Sequence, residues 1–490
     1  MADMDNEQAT RLLRRKNVIK KGIDPYPARI VRSHSCRAFL ADFEKLLSDG
    51  QLITLVGRVR SIRLHGGSCF AHIQDGTDKV QIFLQRDGLG EEQYDTFIKT
   101  LDVGDFLEAA GKPYLTKRGE KSLLVERFRL ISKSLNPLPE KWHGLSDVEI
   151  RYRKRYLDLL SNPEVKSIFL KRHALIRTLR SFLEDERFIE VETPILQTMA
   201  GGALAEPFIT HHNALGADLF LRVAPELFLK RLIIGGFERV FEIARCFRNE
   251  GIDHLHNPEF TQVELYAAYM DYFELMAFTE RMMVALVHSV RGDFMVPYEG
   301  NQLNFTPPYR RLTFRDAILE YAKFDIDNYP NEKKLASELS KRNIVTEKKW
   351  NRAKMLDEAI KNFVRPYLIQ PAFLYRYPIE LSPLAKKTEN DTRYVERFQL
   401  FAGGKELANA FSEINDPTDQ QDRFDDQEKN RKRGDNEAHH SDADFIEALT
   451  YGMPPTAGLG MGIDRLTNIL TDTHSIKEVI LFPTLKPQTQ

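Results

Sequence analysis

One short stretch, Val240 to Tyr266, brings together a guanidinium, several carboxylates and two aromatic rings. Val240-Phe-Glu-Ile-Ala-Arg-Cys-Phe-Arg248 is dominated by β-formers, and Phe260 to Tyr266 follows as a second strand whose side chains alternate between two faces. Between them Asn249-Glu-Gly-Ile-Asp-His-Leu-His-Asn-Pro258 is rich in turn residues, so the whole reads as an antiparallel hairpin with a long polar tip. Alternation gives Arg248 and Glu250 a common face, and likewise Phe260, Gln262, Glu264 and Tyr266. A planar bidentate donor beside rings and carboxylates suits a nucleotide together with a cation. An ordinary hairpin with a surface Arg–Glu pair has the same local pattern.

Two further stretches carry chemistry. Ala457-Gly-Leu-Gly-Met-Gly-Ile-Asp-Arg-Leu466 alternates Gly458, Gly460 and Gly462 with Leu459, Met461 and Ile463, so one strand face is bare and the other apolar. Arg465 stands near the start of the helix that follows, and the glycine spacing differs from the dinucleotide fingerprint. Glu396 to Phe401 and Glu406 to Ile414, joined through Gly403-Gly404, form another hairpin in which Asn409, Phe411 and Glu413 share a face. His211 and His212 are adjacent in an extended segment and point to opposite faces, which argues against a shared metal.

Phe247-Arg248-Asn249-Glu250, the loop, and His256-Asn257-Pro258-Glu259-Phe260 resemble motif 2 of the class II aminoacyl-tRNA synthetases. The glycine strand with Arg465 resembles motif 3. The helix Ile168 to Arg187 with the strand Phe188 to Leu196, interrupted by Pro194, resembles motif 1, which forms a dimer interface in that family. The likeness runs from Gly22-Ile-Asp-Pro-Tyr-Pro27 to Leu481-Phe-Pro483 and is to the bacterial-type lysyl members, with aspartyl and asparaginyl members and a non-catalytic RNA-binding descendant as alternatives.

What the resemblance implies is specific. Arg248 would hold the α-phosphate of ATP and the substrate carboxylate, Phe260 would stack on adenine with Glu250 and His256 beside it, and Arg465 would bind the γ-phosphate; Arg248 and Arg465 are the catalytic pair. L-Lysine would meet Gly202 in the small-residue loop Met199 to Phe208, Glu226 at its α-amino group, Asn409 at its carboxylate and Phe411 along its stem. Glu413, with Glu264 and Tyr266, would take the ε-ammonium. Glu226, Glu264 and Glu413 together suit an ammonium and repel a carboxylate side chain. Mg²⁺ is implied at Glu406 and at Gln399, where the family commonly has a second carboxylate; alternation puts Glu406 opposite Asn409, so its role requires a bulge or turn between them. The anticodon of tRNA(Lys) would meet Arg63, Phe70 and Gln81. On pattern alone Phe70 is equally a core aromatic of a barrel, and Glu226 a helix-start carboxylate.

Those side chains need scaffolds. Ile53 to Arg60, Phe70 to Gln74, Val80 to Leu84 and Leu123 to Leu130 read as short strands with turns at Asp75-Gly76 and Arg118-Gly119, which fits a small OB barrel over residues 50–143. Before it, residues 1–49 hold a basic helix at Arg11 to Lys16 that is either a solvated face or an RNA contact. A connector from Asn136 to Pro163, with Trp142-His-Gly144 and Arg151 to Tyr156 and the domain linker set at 144–165, leads to an antiparallel catalytic sheet flanked by helices over 166–490. A mainly helical insertion occupies about 300–380, and the charged run Asp422 to Asp444 reads as a solvated helix. The fold class is therefore α+β. In 490 residues, 42% are hydrophobic and 29% charged, with no apolar run long enough for a membrane span and no amino-terminal signal. Cys36, Cys69 and Cys246 form no Cys-x-x-Cys, which points to reduced thiols, no zinc and a cytoplasmic chain. A net charge of −1 gives no global pull on nucleic acid, so RNA must be met by local patches. A homodimer follows from the family.

Overall fold

The apolar alternation that begins at Ile53 closes on itself as a barrel. Its strands are β1 (Ile53–His65), β2 (Ser68–Gln74), β3 (Lys79–Gln85), β4 (Phe106–Leu115) and β5 (Lys121–Ser132), in the order β1-β2-β3-β5-β4. The computed structural model describes residues 2–139, 145–199, 201–202, 205–347, 350–432 and 442–488. Cys69, Ala71 and Ile73 of β2 and Val80, Ile82 and Leu84 of β3 fill the barrel interior. The expected turns join β2 to β3 and β4 to β5. The closing strand β4 escapes the sequence reading because Ala109, Ala110, Gly111 and Pro113 carry little strand preference; β1 and β5 supply ladders on both its sides and override that.

The barrel belongs to a unit spanning Met1–Leu145, so residues 1–49 are not set apart from it. The basic helix, Ala2–Lys20, is not simply a solvated face: Arg11 is buried and donates to the Val103 carbonyl at 3.0 Å, and Arg14 pairs with Asp102. Lys16 and Lys20 stay exposed. The expected boundary at 143/144 and the Trp142-His-Gly144 stretch lie outside the described residues.

The second unit, Ser146–Gln490, starts with two short helices, Val148–Arg153 and Arg155–Ser161. Its main sheet has eight strands in the order β14-β15-β16-β17-β18-β11-β10-β6. These are β6 (Ile189–Glu190), β10 (Arg239–Phe247), β11 (Glu259–Ala268), β14 (Arg310–Thr313), β15 (Ala372–Pro378), β16 (Tyr394–Ala402), β17 (Lys405–Ser412) and β18 (Thr456–Gly462). A small sheet joins β7 (Leu196–Gln197), β8 (Ile209–His212) and β9 (Ala217–Leu221), and β12 (Met295–Tyr298) pairs with β13 (Asn301–Asn304). Helices Pro163–Asp185 and Tyr272–Arg291 pack Leu175, Leu179, Leu183, Leu275 and Met282 against Phe241, Val263, Leu265, Leu459 and Met461. That burial commits alternate residues of β11 and β18 to the core and turns the remainder to the opposite face.

Three expectations change. The strand at 188–196 shrinks to β6, because Pro194 cannot donate to a ladder and the chain leaves for β7. The segment at 300–380 is no separate insertion: β14 and β15 are strands of the main sheet, and helices Glu332–Ser340 and Arg352–Phe363 between them build a core around Leu335, Leu339, Leu356 and Ile360. The charged run starting at Asp422 lies on helix Pro417–Lys432, which buries Phe424 completely, while 433–441 lie outside the described residues.

Candidate active site

Three neighbouring strands make the floor of the site. On β18 the bare glycines face a cavity of about 450 Å³. The register sets Gln262, Glu264 and Tyr266 of β11 opposite Gly462, Gly460 and Gly458, and sets Asn409 and Phe411 of β17 opposite Gly460 and Gly458 from the other side. Phe260, Gln262, Glu264 and Tyr266 therefore share a face as their alternation requires, and so do Asn409 and Phe411. The bareness is obligatory at one position: a Cβ on Gly458 would stand 2.3 Å from both Glu413 Oε1 and Tyr266 Cε1. Gly202, at φ +90°, closes the same end against Glu226 and Ala224.

That inner end is acidic. Glu226, Glu264 and Glu413 are all nine-tenths or more buried, and the first two line the cavity. Glu413 lies just behind Gly458, with its Oε2 2.5 Å from Lys230 Nζ. Lys230 Nζ also sits 2.6 Å from Glu226 Oε1, so Glu226 is both a helix-start residue and an ion-pair partner. Glu264 accepts from Gln262 Nε2 at 2.7 Å and from the Tyr266 hydroxyl at 3.3 Å. Burial, then the charge of Glu226, pushes the Glu264 carboxyl well above the usual range. Burial likewise lifts Glu413 to about 8 against the pull of Lys230.

The outer end is basic. Arg248 leaves the end of β10, its guanidinium 5.0 Å from the Phe260 ring, and its buried Nε has no partner among the described residues. Arg465, in the first turn of helix Ile463–Leu470, donates to the Glu406 carbonyl at 2.7 Å. Burial lowers its pKa, and so do the charges of Arg365 and Arg248, while Glu406 opposes them. Glu250 and His256 border the same cavity from the hairpin tip, where His256 Nδ1 meets Asp253 at 2.9 Å.

Gln399 and Glu406 both line the cavity. The bulge that Glu406 needs is present: Leu400 pairs with Ala408 but Phe401 with Glu406, so Leu407 is the extra residue that returns Glu406 to the face of Asn409. Gln399 Oε1 accepts from the Tyr377 hydroxyl, and Glu406 lies 3.8 Å from Arg365. Among the described residues no three His, Cys, Asp or Glu side chains cluster as a ready metal site, and His211 is paired with Asp218.

In the barrel unit, the interior assignment of Cys69, Ala71 and Ile73 sends Phe70 outward, so it is not a core aromatic. It stacks on Phe83 with ring centroids 4.5 Å apart, and Arg63 is its exposed cross-strand neighbour. Gln81 is on the same face but buried, its carbonyl oxygen accepting from Ser122 at 3.0 Å.

Sequence reasoning missed Lys230, Arg365, Arg397 and Asp357. Arg397 donates to Asn409 Oδ1 at 2.8 Å, and Arg365 and Asp357 enter from the segment between β14 and β15. Only Lys230 left a signal, one helical turn after Glu226.

The close contact at Gly458 has a direct test. Gly458→Ala should destabilise the protein by roughly 1–3 kcal/mol through overpacking. Gly460→Ala, whose Cβ would meet nothing nearer than 3.7 Å, should cost much less. Denaturant unfolding compares them, and equal losses would mean that contact with Glu413 and Tyr266 is not what keeps Gly458 bare.

Comparison with known proteins agrees with this architecture. Residues 147–486 match the family described as tRNA synthetases class II (D, K and N), and residues 53–131 match the OB-fold nucleic acid binding domain. The lysine–tRNA ligase of Thermoanaerobacter pseudethanolicus is 47% identical over 99% of this chain and 98% of its own. Those of Moorella thermoacetica and Chloroflexus aurantiacus are 47% and 46% identical, over 98% and 99% of this chain and the same shares of theirs. With the family match covering most of the chain and relatives aligned almost end to end, the chain belongs to the class II tRNA synthetases of the D, K and N group.

Proposed function

We propose that this chain joins L-lysine to tRNA(Lys): it activates lysine with ATP to lysyl-adenylate and transfers the lysyl group to the 3′ end of the tRNA. The observation that carries this reading is the polarity of one cavity, with the buried Glu226 and Glu264 lining its inner end, Glu413 just behind them, and Arg248, Arg365 and Arg465 at the outer. An amino acid with a cationic side chain fits the first, and a polyphosphate fits the second. The near full-length likeness to lysine–tRNA ligases supports it.

In this reading Glu226 receives the α-amino group, Asn409 and Arg248 the carboxylate, Phe411 the aliphatic stem, and Glu413 with Glu264 and Tyr266 the ε-ammonium. Gly202 lets the backbone approach. Phe260 stacks on adenine, with Glu250 and His256 beside it. Arg248 bridges the lysine carboxylate and the α-phosphate, so charge that builds on the phosphoryl group during attack meets a bidentate donor already in place. Arg465 holds the γ-phosphate. No covalent nucleophile is needed. The donor set fits a Mg²⁺ that arrives with the nucleotide, since that ion keeps several waters and takes few protein ligands. Glu406 would hold it, with the Gln399 oxygen nearby, and the ion would shield phosphate charge. Exposed Leu170, Ile189, Ile195 and Leu196 on the motif 1 segments support a homodimer. Among the described residues no helix is long and apolar enough to cross a membrane, which is compatible with a cytoplasmic chain.

Amino-acid-dependent ATP–pyrophosphate exchange with all twenty amino acids tests the reading. Lysine alone should support it, since a site built for an ammonium rejects analogues by roughly 10⁴-fold. Exchange with aspartate or asparagine instead would sink the assignment. Glu413→Gln should cripple lysine activation while ATP binding stays nearly intact, and unchanged lysine kinetics would remove Glu413 from the site.

For RNA, Phe70→Ala should weaken tRNA binding by about 1–3 kcal/mol without slowing adenylate formation. Phe70 packs outside the barrel, so the variant should fold, and equal tRNA affinity would exclude stacking.

For the metal, Gln399→Glu should lower the Mg²⁺ concentration for half-maximal activation, and Glu406→Gln should raise it. A magnesium titration that Gln399→Glu leaves unaltered would show that Gln399 does not border the ion.

A further inference from the structure

At the inner end of the cavity the chain supplies a cation of its own. Lys230 is 1% exposed, and its ammonium bridges Glu226 at 2.6 Å and Glu413 at 2.5 Å. The rings of Phe411, Phe445 and Tyr266 surround it at 5.4, 5.8 and 6.0 Å. One carboxylate would satisfy a structural lysine; here two share it. Glu264, 5% exposed, has hydrogen bonds but no ion-pair partner among the described residues.

The deeply buried charges at this end are thus Glu226, Glu264 and Glu413 against Lys230 alone. Arg248 and Arg397 also act on these carboxylates, but both are only half-buried. Arg397 is bonded to Asn409, Leu381 and Ser382, and on the functional reading Arg248 meets the carboxylate that the amino acid brings. Two positive charges are missing at the inner end. Lysine carries two ammonium groups.

We propose that Lys230 is a positioning residue for amino-acid selection: it bridges Glu226 and Glu413 and sets the charge of the cavity so that an amino acid with two ammonium groups neutralises it. The inference rests on the lysine reading of the site. An amino acid with one ammonium leaves a buried carboxylate unmatched, which is costly whatever its shape. Without Lys230, Glu226 and Glu413 would repel each other across the vacated space and hold a proton in common.

Proton release separates this role from packing. Burial raises the carboxyls of Glu226, Glu264 and Glu413, Glu413 to about 8. A carboxyl raised in this way holds a proton between its ordinary range and its raised value, and an arriving ammonium expels it. Lysine affinity therefore climbs as pH rises through that window. Removing Lys230 leaves three carboxyls for two ammonium groups, so one keeps its proton after lysine binds, whereas removing one carboxylate leaves Lys230 to repel the second ammonium.

Calorimetric titration of the full-length protein with lysine, in two buffers of different ionisation enthalpy at neutral pH, counts those protons. Lys230→Met should bind lysine about 10-fold or more weakly with the wild-type proton count, Glu226→Gln should release about one proton fewer, and Lys230→Met/Glu226→Gln should return the wild-type count and bind lysine more tightly than Glu226→Gln. A double variant that binds lysine no more tightly than Glu226→Gln, or releases no more protons than it does, would overturn the proposal. If Lys230→Met does not fold, Lys230→Met/Glu226→Gln, which removes one charge of each sign, should fold and return the wild-type count; failure of both to fold would make Lys230 a packing element and overturn it. A wild-type protein that neither binds lysine nor supports lysine-dependent exchange overturns the functional reading, and this assignment falls with it. Wild-type binding with no change in the variant overturns the assignment alone.

Discussion

A strand with no side chains on one face makes the site possible. Neighbouring strands lie about 4.8 Å apart, so side chains on β11 and β17 face each other across roughly 10 Å when β18 between them is bare. In an ordinary sheet that gap is filled. Here Gly458, Gly460 and Gly462 leave a slot, with Glu264 and Tyr266 on one wall and Asn409 and Phe411 on the other. Leu459 and Met461 on the reverse face are locked into the helix-covered core. A register slip by one residue would drive leucine and methionine into the slot and glycine into the core, so core packing on one side of β18 defends the empty space on the other.

The acidic end of the slot works against stability. An uncompensated buried charge costs about 3–5 kcal/mol, a large part of the 5–15 kcal/mol that holds a typical domain together. Three such carboxylates are tolerable only because each is met. Lys230 serves two of them, and Gln262 and Tyr266 donate to the third. The core beneath, from Leu175 and Leu179 to Val263 and Leu265, is apolar throughout and carries the stability that the slot gives up. On β11 the cavity-facing Gln262, Glu264 and Tyr266 therefore alternate with Val263, Leu265 and Ala267 of the core.

This alternation is why much of the site was legible. A period of two, with carboxylates or glycines on one face and aliphatics on the other, identifies β11 and β18 without a structure, and it calls for a bulge or a turn between Glu406 and Asn409, which the register supplies at Leu407. Phe70 was ambiguous because a stacking platform and a barrel core both call for an aromatic in a strand. Only the burial of Cys69, Ala71 and Ile73 decides its direction. Three features could not be read because they depend on long-range pairing. The bridge from Lys230 to Glu413 spans distant segments, β4 exists only through its two ladders, and β14 and β15 are separated by helices whose own periodicity dominates the stretch.

Arg365 is the clearest product of that long-range pairing, and it alters the electrostatics of the outer end. It follows helix Arg352–Phe363, which packs beside β15, and this path delivers its guanidinium to within 3.8 Å of Glu406. Across the strand pair, Gln399 is neutral and already bonded by Tyr377. The end that faces the proposed triphosphate thus sets Arg248, Arg365 and Arg465 among Glu250, Asp357, Glu406 and Asp464. Those cations repel one another, which is why the charges of Arg248 and Arg365 add to burial in lowering the pKa of Arg465. A polyanion relieves that repulsion and gives the buried Nε atoms of Arg248 and Arg365 a field to oppose. Fixed guanidinium groups also do part of the neutralising that mobile cations perform at a more acidic edge, and they do it without dehydrating an ion. Gln399 and Arg365 thus act on one edge: the amide adds no charge there, and the guanidinium brings a positive one from a distant segment.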